Sequence, residues 1–287
     1  MLWENLREEE FEGAIKASGK VCVVPIRCVE KHAQHLPVGT DVQTALHIAK
    51  EAAKLEPVVV APPMYFGDIF GHTARGAIVL PPDLLLNLLR AYCSEIARNG
   101  FKKILFLNGH GGNKALLSYL CRCTSIQNDY VVMYRDSSCY SPRDLVNDLD
   151  AGSDFPELTE EDKAYVRDFV YSGKVVGHAG FTESVRMLKI NLDAVNMDRV
   201  TAESGLATHR TDYLKDAGLL VSTRFWGVEY PNAYCGHAPE RGNERFGAVI
   251  LRKQIEAQAE ACRLLKMDDR VLQWAEEAEQ MRAWEKE

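Results

Sequence analysis

The chain has 287 residues, 46% of them hydrophobic and 26% charged, with 34 Lys and Arg against 41 Asp and Glu for a net charge of −7. Such a composition is that of a globular protein, and the length allows one large α/β domain or two small ones. The acidic balance, with no Lys/Arg stripe interleaved with aromatics, argues against a nucleic-acid-binding face, and no run approaches the ~18 apolar residues of a membrane span.

Met1 to Ile15 is acidic and lacks the basic start and apolar centre of a signal peptide. The apolar run Val21–Ile26 predicts a first strand. Thr40-Asp41-Val42-Gln43 resembles a capping box opening a helix that runs to about Leu55. Val58–Ala61 predicts a second strand. Asp83 to Asn99 then carries Leu85, Leu88, Leu89, Tyr92, Cys93 and Ile96 at helical period and stops at Gly100. Ile104–Leu107 predicts a strand, Asn113 to about Ser125 a helix, and Tyr130–Tyr134 another strand. Residues 140–175 are more polar, with acids clustered at Glu157–Asp162, and are expected to leave the core. Leu219–Phe225 reads as a strand, and Asn243 to Lys286 as charged helix.

Strands alternating with helices imply parallel strands joined by crossovers. The expected architecture is therefore a three-layer α/β/α fold with a mostly parallel sheet. One domain over residues 1–287 is expected, with 140–175 as an excursion and 243–287 as a C-terminal helical segment. The eight cysteines, at 22, 28, 93, 121, 123, 139, 235 and 262, are scattered, and Cys121 and Cys123 form a CxC with no second pair nearby. Reduced thiols in a cytoplasmic protein fit this better than a disulfide framework or structural zinc site.

Three clusters carry chemistry. The first is Glu30-Lys31-His32-Ala33-Gln34-His35, followed by Asp41. Glu30 and His32 sit two apart after an apolar run, so a continued strand would point both to one face. A carboxylate and an imidazole converging at a strand's end, with Asp41 close behind, suit a first-row divalent metal. The second is Asn108-Gly109-His110-Gly111-Gly112-Asn113, between a strand and a helix, where open α/β sheets place ligands. There is no phosphate-binding loop of either glycine-rich type. The third is His178-Ala179-Gly180-Phe181-Thr182-Glu183-Ser184. A straight helix would not stack His178 on Glu183, but a loop turning into a helix near Thr182 brings both to one cavity. His35 is expected to orient a ligand from behind, His47 to be a packing or surface residue of its helix, and Trp226 to belong to the core. His72, His209 and His237 lie in no motif.

Together these segments resemble the creatininase (creatinine amidohydrolase) family. The match runs through Glu30 to Pro37 with Gly39-Thr40-Asp41, then Gly76 to Leu80, Asn108 to Asn113 and His178 to Ser184, within residues 18–260. The resemblance implies a three-layer α/β/α fold, a centre of two divalent metal ions, zinc or manganese with iron also compatible, and a homohexamer. It implies Glu30 and His110 on one metal, His32 on the other, and Asp41 bridging both. Creatinine-hydrolysing members carry a bulky aromatic and a metal-binding Glu after Asn-Gly-His, where this chain has Gly111 and Gly112. Glu183 is then the expected replacement ligand, and His178 the catalytic proton-transfer group.

The activity this implies is metal-dependent hydrolysis, with activated water attacking a carbonyl. The bond is an amide C–N bond in a cyclic or small polar substrate other than creatinine. Two alternatives stand beside it. One is hydrolytic C–C opening of a cyclic sugar ketone of the inosose type, and the other is a non-catalytic metal-binding scaffold. The expected partners are a small-molecule substrate and copies of the same chain, with neither nucleic acid nor membrane.

Overall fold

In a computed structural model of the chain, residues 1–69, 74–124, 128–219 and 225–283 are described. Four strands, β1 (Val21–Ile26), β2 (Val59–Val60), β3 (Lys103–Asn108) and β4 (Val131–Asp136), form a parallel sheet in the order β2-β1-β3-β4 among the described residues. The helices of its first half are α1 (Phe11–Ala17), α2 (Thr40–Leu55), α3 (Pro82–Arg98) and α4 (Asn113–Thr124). Then come α5 (Pro142–Asp150), α6 (Glu160–Tyr171), α7 (Phe181–Ile190), the short α8 (Asp212–Asp216) and α9 (Trp226–Glu229), α10 (Glu244–Met267) and α11 (Arg270–Ala283).

Alternation along the strands builds the layers. Cys22, Val24 and Ile26 of β1, with Ile104 and Phe106 of β3, pack on Leu85, Leu89 and Cys93 of α3 and on Leu117 and Leu120 of α4. The intervening residues Val21, Val23, Leu105 and Leu107 face the other way, onto Ile48 and Ala49 of α2 and Leu251 and Cys262 of α10. Both faces are covered, so the strands read as continuous apolar runs, as parallel sheets do. The α/β/α architecture expected from the alternation of elements is the one observed.

Two local details differ from expectation. Thr40 lies inside α2 rather than capping it: the N-cap is Gly39, no side chain caps it, and Thr40 Oγ1 donates back to the Pro37 carbonyl at 2.7 Å. The polar stretch 140–175 holds α5 and α6, each opened by a capping box, Ser141 with Asp144 and Thr159 with Asp162. Their apolar faces, among them Leu145, Val146, Val166 and Phe169, pack against Phe181 and Val185 of α7 and Phe246 and Val249 of α10. Widely spaced apolar positions on polar helices suffice to attach this stretch to the helical layer. Of the remaining expectations, the strand Leu219–Phe225 falls largely on residues 220–224, outside the described residues, as do Ser125, His72 and Lys286.

Candidate metal centre

The loops after β1 and β3 meet at the carboxyl edge of the sheet, where ligands of open α/β folds bind. Strand β1 ends at Ile26, so Glu30 and His32 converge through a loop and not through strand alternation. That loop is tight. His32 forms an isolated bridge with Leu36, Ala33 between them has φ 51°, and His32 Nδ1–H donates to the Glu30 carbonyl at 3.1 Å. Nε2 of His32 is thereby turned into the site, 3.2 Å from Asp41 Oδ1. Asp41, the second residue of α2, is 2% exposed.

The loop after β3 is braced by Asn108, whose Oδ1 accepts from His110 N at 3.2 Å and from Asn113 Nδ2 at 3.1 Å. His110 Nε2–H donates to the Asp68 carbonyl at 2.9 Å, which turns Nδ1 inward. This packing needs glycine at position 112: a Cβ there would lie 2.2 Å from the Asp68 carbonyl oxygen and 2.5 Å from His110 Nε2. Chain reversal before α7 brings in the third cluster. Ala179 has φ 57°, α7 begins at Phe181, and Ala179 N–H donates to Glu183 Oε2 at 2.6 Å. His178 Nε2–H donates to the Lys31 carbonyl at 2.8 Å, so Nδ1 is the ring nitrogen that faces Glu30 Oε1, 3.7 Å away.

The two carboxylate oxygens of Asp41 look in different directions. Oδ2 lies 3.2 Å from His110 Nδ1, whose other neighbour is Glu30 Oε1 at 2.8 Å. Oδ1 lies 3.2 Å from His32 Nε2, which is in turn 3.5 Å from Glu183 Oε2. Two donor sets share Asp41, namely Glu30, Asp41 and His110 with Cys28, and His32, Asp41 and Glu183. Within each, the ligand atoms are all within 4.8 Å of one another. Glu30, His32 and His178 make a third such set. Glu30 Oε1 is buried and has no hydrogen-bond partner despite its approach to His110. Imidazole nitrogens and carboxylate oxygens converging in this way suit a divalent cation between them, and such mixed donors admit zinc, manganese and iron.

Electrostatics point the same way. Burial opposes charge at each of these groups, yet their neighbours prevail. The Asp41 and Glu183 carboxylates bring His32 up to about 10. Against its own burial, His110 is held well above its ordinary value by Glu30 and Asp41. The imidazoles in turn keep Glu30 lowered and Asp41 well below the carboxylate range, again against burial. Carboxylates that favour a proton on an imidazole favour a metal cation in its place for the same Coulombic reason.

A sequence profile described as creatininase, creatinine amidohydrolase, matches residues 4–262. The chain belongs to the creatininase family. Family members are metal-dependent amidohydrolases, and this chain is a hydrolase of that type. Creatinine amidohydrolase of Pseudomonas putida is 25% identical over 209 residues, 68% of this chain and 74% of that protein. Mycofactocin precursor peptide peptidase of Mycolicibacterium smegmatis is 31% identical over 102 residues, 33% of this chain and 41% of that protein. The latter match thus spans less than half of its relative. Among solved structures, a mutant creatininase of Zn-Zn type aligns with a TM-score of 0.67 at 20% identity, over 93% of this chain and 98% of that one. A creatininase with Mn aligns with a TM-score of 0.63 at 19% identity, over 93% and 99%. Both likenesses show a shared fold.

All six residues singled out from the creatininase motifs, Glu30, His32, Asp41, His110, His178 and Glu183, come together. His35 stands behind them: its Nε2 pairs with Ser184 Oγ at 2.8 Å, beside Glu183, and burial lowers the ring to about 4. His237 is a strap and not a wall, accepting from Val175 N at 2.9 Å. Trp226, expected in the core, instead lines a cavity of about 770 Å³ in front of the donor sets and meets His178 edge-on at 5.3 Å between ring centroids. An aromatic beside glycine carries no local sign of which surface it faces. Three residues escaped the sequence reading. Cys28 donates its thiol to Asp41 Oδ2 at 3.2 Å, and its spacing two before Glu30 could have flagged it. Arg27 is fully buried with no hydrogen-bond partner on any guanidinium nitrogen, 5.6 Å from the Tyr65 ring. Arg186, one turn after Glu183, is buried in the cavity wall.

Proposed function

We propose that this protein is a binuclear metal hydrolase cleaving an amide C–N bond in a small polar or cyclic substrate other than creatinine. Glu30, Asp41 and His110 would hold one divalent ion, and His32, Asp41 and Glu183 the other. The observation that carries this reading is the opposed facing of the two Asp41 oxygens, each towards a different histidine-carboxylate pair. When bound, such a pair of cations lowers the pKa of a shared water and polarises the carbonyl it attacks.

The chain's own residues then divide the remaining work. The Asp68 and Glu30 carbonyls fix the tautomers of His110 and His32, as outer partners of metal-binding histidines do. With Nε2–H committed to the Lys31 carbonyl, Nδ1 of His178 is the atom available to carry a proton to the leaving nitrogen. Trp226 shields that ring from one side. Close contact at Gly112 leaves no room for the carboxylate that creatinine-hydrolysing members are expected to carry there, which supports Glu183 as its replacement and a different substrate. The amide bond is favoured over a C–C bond because the named relatives are an amidohydrolase and a peptidase.

A homohexamer in the cytoplasm completes the proposal; eight unpaired cysteines support a reducing compartment, and light scattering would test the assembly. The decisive experiment is elemental analysis of protein purified without added metal. The metal-loaded protein is then assayed on cyclic amides, formamido compounds and inososes. Two metal equivalents with amide turnover are expected. Turnover of inososes alone would transfer the site to C–C hydrolysis, and none at full occupancy would leave a scaffold.

A further inference from the structure

Arg186 lies in the wall of the cavity in front of the donor sets. It follows Glu183 by one turn of α7, is 2% exposed, and lines the cavity with Ser138 and Glu183. Nη1 of its guanidinium is occupied, donating to Ser138 Oγ at 3.0 Å and to Gln254 Oε1 at 3.4 Å. The Nε–Nη2 edge is not. Nε is buried without a hydrogen-bond partner, and the carboxylate oxygen paired with Nη2, Glu183 Oε1, is as far as 4.0 Å. That edge is the fork that binds a carboxylate through two parallel hydrogen bonds.

The other cations of the cavity do not share this state. Lys114 is 2.9 Å from Asp136 and Lys215 is 3.1 Å from Asp212. If Glu183 spends its charge on a metal, as proposed above, Arg186 is left as a buried cation without a counter-charge, which is costly. An incoming anion removes that cost, whereas a neutral ring does not.

We infer that Arg186 anchors a carboxylate of the substrate, so that the amide cleaved at the metal centre belongs to an acid. This rests on the hydrolase reading and narrows its substrate class to small N-acyl amino acids or the carboxyl end of a peptide.

The test compares N-formylglycine with N-formylglycinamide, and N-acetyl-dialanine with its C-terminal amide, on the metal-loaded protein. Wild-type protein should favour the acid of at least one pair by about tenfold or more in kcat/KM, the scale of a charge-assisted pair. Which pair responds separates the small acid from the peptide end. R186M should bring that ratio close to one, and R186K, charged but without the fork, should fall between. Binding of the same acids and amides to the H178A protein, measured by calorimetry, gives a readout independent of turnover. Acids that bind preferentially through Arg186 without being hydrolysed would sustain the anchor and sink the amidase reading. Hydrolysis with no preference for acids would do the reverse. Loss of metal from R186M in step with loss of acid binding would make Arg186 a support for Glu183 and overturn the inference.

Discussion

The sheet and the pocket at its carboxyl edge are made from adjoining stretches of one chain, yet they use burial in opposite ways. In β1 every residue is enclosed, and alternation sends Cys22, Val24 and Ile26 to one apolar layer and Val21 and Val23 to the other. Four residues past its end, Glu30, His32 and then Asp41 are enclosed to the same degree, at 5%, 0% and 2% exposure, but are ionisable. The pocket also holds two non-glycine residues in left-handed backbone, Ala33 and Ala179, each a cost of about 1–3 kcal/mol. Arg27 adds a buried guanidinium with no hydrogen-bond partner. The contrast teaches that the apolar layers supply the stability that lets the edge hold strain and opposed charge in place. A small apolar plug of Ala33, Leu36, Ala179, Met187 and Tyr234 backs both histidine loops, so rigidity there is local as well.

Breaking the pocket should therefore abolish function without melting the sheet, and breaking the sheet should do the converse. The largest effect is expected of D41N, which deprives both donor sets at once. Metal affinity should fall beyond the ~10–100-fold typical of losing an outer partner, and activity should vanish with it. Retention of two equivalents of metal by this variant, seen by elemental analysis, would remove the bridge. H178A should keep its metal while turnover drops by about 10²–10⁴-fold, the range for a general acid. Equal loss of metal and rate would instead make His178 a ligand, through the set it forms with Glu30 and His32.

On the other side of the comparison, F106A empties a fully buried site between the sheet and α3–α4, and denaturant titration should register about 3–5 kcal/mol of lost stability. Its metal stoichiometry per folded molecule should be unchanged. The smallest expected effect lies in the helical layer. Asp162 accepts from Thr159 N at 3.0 Å, from Asn243 Nδ2 at 2.8 Å and from Arg245 Nε at 2.6 Å, tying α6 to the start of α10. D162A should cost about 2 kcal/mol, mostly through the cap and the amide, since Arg245 is half exposed. Despite partial burial, those hydrogen bonds hold the carboxyl well below its ordinary 3.8. Its contribution is thus complete above that pH and is lost as pH falls below it. Acid unfolding curves of wild-type protein and D162A should converge at low pH, and a gap that persists there would discard the assignment.

Much of this was legible in the chain because the signals are local. Apolar runs predict β1, β3 and β4, and a capping-box pattern and helical spacing predict α2 and α3, nearly to their ends, since a strand buried on both faces and an amphipathic helix each mark their own sequence. The types of residue in the three clusters, acids and imidazoles next to glycines, likewise announce metal chemistry before any contact is known. Other readings failed where a neighbouring carbonyl or a distant wall, and not the residue's own spacing, decided the outcome. Thr40 gives up its capping role because Pro37 offers a carbonyl, and Trp226 faces a cavity whose other walls come from elsewhere in the chain.

What the sequence determined by itself is therefore the parallel α/β order and the donor types, both encoded within a few residues of each other. Only the tertiary structure decided that Asp41 presents one oxygen to residue 110 and the other to residue 32. It decided too that Glu183 comes within 3.5 Å of His32 Nε2, and that Nε of Arg186 is buried without a hydrogen-bond partner. Those facts depend on the register of β1 against β3 and the packing of α7 on α2 and α10, and such long-range relations leave no mark in local spacing.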